Sequence, residues 1–163
     1  MDTREIFSRI FAVDWAKYDT AFGNAADTAR RRTLFGEKMH PPVGRTLCDI
    51  FSQDGRVVRR ASNELWECLC GEHEHAYSAA LPAYDFMAEA IRSGNDRTQE
   101  LLTYIITDIA LYVKDAPTDG EAWESELRRK ISGDIPLYRK LSDSPNEDLA
   151  CFAGVIAEEY DKA

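Results

Sequence analysis

Eight consecutive residues, Cys68-Leu69-Cys70-Gly71-Glu72-His73-Glu74-His75, bring two thiols, two imidazoles and two carboxylates together. Thiolate sulfur and imidazole nitrogen are the donors zinc prefers, so metal chemistry is the first reading to weigh. On a helix, however, Cys68 and Cys70 project about 200° apart and cannot face one ion unless the helix ends between them. Zinc sites built from such pairs also use a second, distant pair of ligands, which the chain lacks. The deaminase pattern fails because no Pro-Cys-x-x-Cys follows a His-x-Glu, and His-Glu-x-x-His fails because Tyr77 stands four residues after His73. A helix end with buried thiols followed by a solvated acidic turn accounts for the same letters, and no cofactor is expected. A metal-dependent enzyme or metal-binding protein centred on Cys68, Cys70, His73 and His75 stays open as the alternative.

Other chemistries find less support. A nucleophilic cysteine needs a base and an orienting group. His40 with Cys48 or Cys151 supplies the types, yet both cysteines fall at core-like helical positions. The nine glycines are scattered, and none precedes a Lys-Ser/Thr pair that would make a phosphate loop.

Charge is more informative. The 163 residues carry 20 Lys+Arg and 29 Asp+Glu, a net charge of -9, which argues against general binding to nucleic acid. Residues 1–60 hold 11 basic and 8 acidic side chains, and 61–163 hold 9 and 21, so the negative field belongs to the later part. The basic residues Arg30, Arg31, Arg32, Lys38, Arg45, Arg56, Arg59 and Arg60 read as a solvated face. The acidic positions Glu64, Glu67, Glu72, Glu74, Asp115, Asp119, Glu121, Glu124 and Glu126 fall at helix ends and turns, which a scaffold of stacked helix pairs gathers along one edge. A basic protein would be steered there. Trp66, Tyr77, Tyr84 and Trp123 are available as anchors, since interface hot spots favour Trp and Tyr, although most such residues serve the core.

The elements that must position these groups read as helical almost throughout. Residues 3–13 carry Ile6, Phe7, Ile10 and Phe11 on one stripe. Asp14 is expected to cap a second helix bearing Trp15, Tyr18 and Phe22, stopped at Gly23-Asn24. The stretch 25–40 is irregular and reads as a short helix and a loop. Pro42 suits the first turn of a helix ending near Ser52, and Asp54 caps a stronger one with Val58, Ala61, Leu65, Trp66 and Leu69 inward and Gly71 as its stop. Residues 76–93 continue helical, with Pro82 either kinking the segment or opening its regular part.

The run 101–113 is apolar around most of its circumference and predicts a central helix covered on both sides. Helices over about 121–132, 135–141 and 146–160 complete a set of nine or ten. The implied fold is all-α, a short α-α superhelix of stacked antiparallel helix pairs, in a single domain over 1–163. No stretch approaches the ~18 apolar residues of a membrane span, and the opening Met1-Asp2-Thr3-Arg4-Glu5 lacks a leader's basic-then-apolar pattern, so a cytoplasmic protein without membrane contact is expected.

Trp15, the element Phe22-Gly23-Asn24-Ala25-Ala26-Asp27, the Ser52 to Arg59 segment and His75-Ala76-Tyr77 leading into Pro82-Ala83-Tyr84-Asp85-Phe86 together resemble bacterial HEAT-like (armadillo-type) helical-repeat proteins. The resemblance covers about two thirds of the chain, and departs from the family at Glu72-His73-Glu74-His75, where relatives more often show His-Gln-Gly. Proteins of this kind resemble the immunity partners of secreted interbacterial toxins, and the family carries no catalytic residues to transfer. The resemblance therefore implies a non-catalytic immunity protein that neutralises a cognate protein toxin, or another basic protein. An adaptor for an endogenous protein differs only in its partner. On this reading the partner-binding residues are Glu64, Glu67, Glu72, Glu74, Tyr77, Asp115, Asp119, Glu121, Trp123 and Glu124.

Overall fold

A computed structural model describes residues 3–34 and 36–161. Among them are eight α-helices: α1 (Thr3–Ala12), α2 (Val43–Asp49), α3 (Gly55–Leu69), α4 (Ala80–Ser93), α5 (Asp96–Val113), α6 (Trp123–Gly133), α7 (Ile135–Ser142) and α8 (Glu147–Asp161). Two short antiparallel hairpins separate α1 from α2: β1 (Asp19–Thr20) with β2 (Gly23–Asn24), and β3 (Ala29–Thr33) with β4 (Gly36–His40). The fold is thus mostly helical but not all-α.

Both hairpins replace expected helix, for local reasons. After α1 the chain makes only one 3-10 turn, Trp15–Lys17, and the Asp14 side chain caps nothing. Thr20 Oγ1 then accepts from the Phe22 amide at 3.2 Å and donates to the Gly23 carbonyl at 2.9 Å. Such side-chain bonds compete with helical ones, and Gly23, at φ +122°, takes a conformation open chiefly to glycine. In the second hairpin Ala29 pairs with His40 and Thr33 with Gly36, itself at φ +123°. Along β4 the side chains alternate: Lys38 and His40 face the body, while Glu37 and Met39 face solvent. The inward face is polar, so no apolar alternation marks the strand.

Elsewhere the apolar period is fulfilled. The Asp54 side chain accepts from the Arg56 amide at 2.8 Å and opens α3, whose buried stripe is Val58, Ala61, Leu65, Cys68 and Leu69. The Cys70 and Gly71 amides both return to the Trp66 carbonyl, and Gly71 ends the helix at φ +70°. Pro82 lies in the first turn of α4 and does not kink it. Asn95 caps α5, which buries Leu102, Ile105, Ile106, Ile109, Ala110 and Val113 and touches α3, α4, α6 and α8. The helices form two rows, α1, α2, α4 and α6 in one and α3, α5 and α8 in the other, with α7 against α8. One continuous core runs from Ile6 to Ile156.

Tyr84 belongs to that core. Its hydroxyl donates to Asp134 Oδ2 at 2.9 Å and lies 3.0 Å from the Tyr138 hydroxyl, and burial above all pushes both phenols up.

The end of α1 depends on Trp15, whose Nε1 donates to the Ile10 carbonyl at 2.9 Å and satisfies a terminal helix acceptor. Its indole lies against Gly44 in α2, where an added Cβ would stand 2.8 Å from Nε1. Gly44→Ala is expected to destabilise the protein by about 1–3 kcal/mol, read as a lower urea midpoint at unchanged slope.

Candidate functional site

Asp108 is a single carboxylate in the apolar circumference of α5, 6% exposed. It accepts from Trp66 Nε1 on α3 at 2.7 Å and from His73 Nδ1 at 3.2 Å, with the Glu74 amide at 3.5 Å. A carboxylate only accepts here, which places the His73 proton on Nδ1. These contacts hold the turn after α3 against α5, including Glu74 in the left-handed region at φ +51°. The Tyr77 amide returns to the Leu69 carbonyl at 2.9 Å, and the Ala79 amide bonds the Asp19 carbonyl at 3.0 Å.

The pinned turn sets two groups of aromatic rings. In the first, His73 sits 5.3 Å from Trp66 and 6.1 Å from Tyr104, and Tyr104 sits 5.2 Å from Phe152 of α8. Beside it lies a cleft of about 340 Å³ lined by Ser62, Asn63, Trp66, Glu67, Leu101, Tyr104 and Ile105. In the second, His75 lies 4.8 Å from both Tyr77 and Tyr112, and Tyr112 stacks on Trp123 at 6.2 Å. This second group joins the 71–79 turn to the 114–122 loop.

The acidic residues follow. Glu72, Glu74, Asp115, Asp119 and Glu121 are exposed on those two segments, with Tyr77, Trp123 and Glu124 half-buried beside them. The Lys114 ammonium is held above the usual lysine range chiefly by its hydrogen bond to Glu159 at 2.9 Å, with Asp115 and Glu74 adding smaller attractions. Glu74 and Asp115 therefore act on the same cation although they belong to different loops. The second loop is kept in shape by Arg129, which donates to the Thr118 and Gly120 carbonyls at 2.8 and 3.0 Å.

Glu64 and Glu67 lie elsewhere. Lys38 Nζ is 2.6 Å from Glu67 Oε1 and 3.6 Å from Glu64 Oε2, and His40 Nδ1 bonds Glu64 Oε1. Phe22 stacks on His40 at 3.9 Å, and the Arg31 guanidinium covers Phe22 at 5.3 Å. Both carboxylates are engaged by the β3–β4 hairpin and are not presented with Glu72 and Glu74. Only a chain already known to form that hairpin would have revealed this.

The cysteines separate as helical geometry requires. Cys68 Sγ points to Glu64 at 3.6 Å, whereas Cys70 is buried on the Asp108 side. Cys68, Cys70, His73 and His75 do not converge, and among the described residues the cluster with ligand geometry is His40, Glu64 and Cys68. Cys48 is buried in α2, but Cys151, expected in the core, is exposed on α8 because the buried stripe there runs through Leu149, Ala153 and Ile156. Burial pushes the Cys48, Cys68 and Cys70 thiols up, which keeps them protonated and poorly nucleophilic. The residues sequence reasoning passed over are Asp108, Tyr104, Tyr112 and Phe152. A lone carboxylate within Ile105-Ile106-Thr107-Asp108-Ile109-Ala110 was the available signal, since such a group must be hydrogen-bonded.

Comparison with family models, curated proteins and solved structures gives no match.

Replacing Asp108 by Ala is expected to cost about 1–3 kcal/mol and to speed amide exchange at residues 72–75, leaving α7 and α8 protected. A thiol reagent at neutral pH should modify Cys151 rapidly in the folded protein, with all four cysteines reacting after denaturation.

Proposed function

We propose that the protein acts without catalysis, binding a basic protein along the edge made by the 71–79 turn and the 114–122 loop. The observation that carries this reading is the chain of rings Tyr77, His75, Tyr112 and Trp123, which fixes two acidic segments side by side. The two ingredients do different work. Carboxylates on an exposed rim accelerate encounter with a cationic surface, whereas rigid aromatic side chains supply contact area at small entropic cost.

The packing of α3, α5 and α8 in one row and α2, α4 and α6 in the other supports a short α-α superhelix of HEAT-like repeats as the underlying plan. With the sequence resemblance, this makes a cytoplasmic immunity protein the most concrete form of the proposal. Its acidic edge would occupy the cationic substrate cleft of a toxin, or a surface beside it, and block access.

The experiment is co-expression with the polypeptides encoded by the adjacent reading frames. A stoichiometric complex with a basic polypeptide is expected. Its association rate should fall about ten-fold or more at low salt in Glu72→Lys/Glu74→Lys/Glu121→Lys, and its dissociation should quicken in Tyr112→Ala. Absence of any stoichiometric partner, or a complex indifferent to both variants while their circular dichroism stays native, would overturn the reading.

A further inference from the structure

We propose that His40, Glu64 and Cys68 form a site for one divalent ion of the zinc class, which ties the β3–β4 hairpin to α3. Glu64 and Cys68 stand four residues apart and share one face of α3, and His40 enters from the end of β4. One donor atom from each lies within 4.8 Å of the other two. His40 is 1% and Cys68 4% exposed, and the Glu64 side chain is 12% exposed at the rim. A nitrogen, an oxygen and a sulfur donor suit zinc or cobalt, and the sulfur excludes magnesium and calcium as the natural occupants.

The charges balance. A Glu64 carboxylate and a Cys68 thiolate neutralise a divalent ion, with the imidazole neutral. Lys38 also reaches Glu64, at 3.6 Å, but its closer partner is Glu67, at 2.6 Å, so it competes only weakly for the Glu64 ligand. Binding releases the thiol proton to solvent, and water completes the four-coordinate shell.

An independent observation is the other ring nitrogen. His40 Nε2 is buried without a hydrogen-bond partner, and the nearest carboxylate oxygen, Glu67 Oε2, is 4.0 Å away. When Nδ1–H donates to Glu64, Nε2 carries a bare lone pair facing a carboxylate, two acceptors opposed. An ion on Nδ1 places that proton on Nε2, pointing at Glu67, and closing the 4.0 Å gap by a small side-chain shift would make the carboxylate–histidine–metal arrangement that orients metal-bound imidazoles. The competing occupant is a proton, giving an imidazolium between Glu64 and Glu67.

Cobalt(II) distinguishes the two. Protein purified without an affinity tag and carrying Cys151→Ser, which removes the exposed thiol, is titrated with cobalt and then zinc. The expected result is a sulfur-to-cobalt absorption band saturating at one equivalent, displaced by zinc and not by magnesium. The band should vanish in Cys68→Ser, persist in Cys70→Ser, and require about ten-fold or more cobalt in Glu64→Gln. Glu64→Gln preserves the side chain's shape and decides the matter if Cys68→Ser fails to fold. No band from folded protein, a band surviving Cys68→Ser, or unchanged affinity in Glu64→Gln would overturn the proposal.

Discussion

A charged carboxylate inside an apolar helix is costly unless every lone pair it exposes to the protein is answered, and Asp108 is where this molecule meets that cost. The answering donors, the Trp66 indole, the His73 imidazole and the Glu74 amide, come from α3 and the turn that leaves it. The packing of α5 against α3 and the path of the following segment are therefore fixed by one polar atom set rather than by apolar contact alone, which tolerates sliding. The rings carried by the turn after α3 take their position from that arrangement. His73 is placed directly, and Tyr77 and His75 follow because the chain between Gly71 and Ala79 is held at both ends.

The second organising contact lies on the other side of α3. By sequence, Glu64 and Glu67 belong to the acidic part of the chain; by structure they sit on the seam with the basic part, where Lys38 and His40 meet them. The partly exposed Lys38 pairs contribute little individually, but with the buried His40–Glu64 contact and the Phe22 stack on His40 they decide which face of the hairpin turns inward. They also divide the acidic residues into two populations. Those on α3 are spent on internal contacts, and those on the 71–79 and 114–122 segments remain open to solvent.

What the residues disclosed in advance follows from this division. Period and turn signals located α3 and α8 within a residue or two, because their inward faces are apolar and Asp54 and Gly71 mark the ends of α3. The end of α5 was placed equally well, but its start was read five residues late, at 101, because its first turn, capped by Asn95, is polar. The β3–β4 hairpin was hidden because its inward residues are Lys38 and His40 and its first strand is Arg30-Arg31-Arg32, so neither face alternates in hydropathy. That the segments of Glu72, Glu74 and Tyr77 and of Asp115 and Trp123 share an edge was an expectation drawn from stacked helix pairs; the contacts of His75 with Tyr112 and of Tyr112 with Trp123 bring the two segments near one another. The diversion of Glu64 and Glu67 was not, since it needs a hairpin no pattern announces. Cys68 and Cys70 diverge as two residues on a helix must, but that argument says nothing of His40, which arrives from 28 positions earlier than Cys68.

Rigidity gives the acidic edge its consequence. Glu74 keeps a left-handed backbone without being glycine, a conformation costing on the order of 1 kcal/mol that persists only when its surroundings over-determine it. Those surroundings are visible: the Asp108 contact, the Tyr77 amide on Leu69, and Asp19, whose amide donates to the Ser78 hydroxyl oxygen at 2.8 Å while its carbonyl accepts from the Ala79 amide. The ordering cost is met on folding, so a partner bound as proposed would meet carboxylates and rings already in place and lose less free energy to immobilising them. A flexible loop of the same composition would offer the same charge and steer encounter equally well. It would hold a partner less long, because residence depends on desolvated contacts that must all be made together. The buried aspartate thus links an internal packing requirement to the quality of the surface above it.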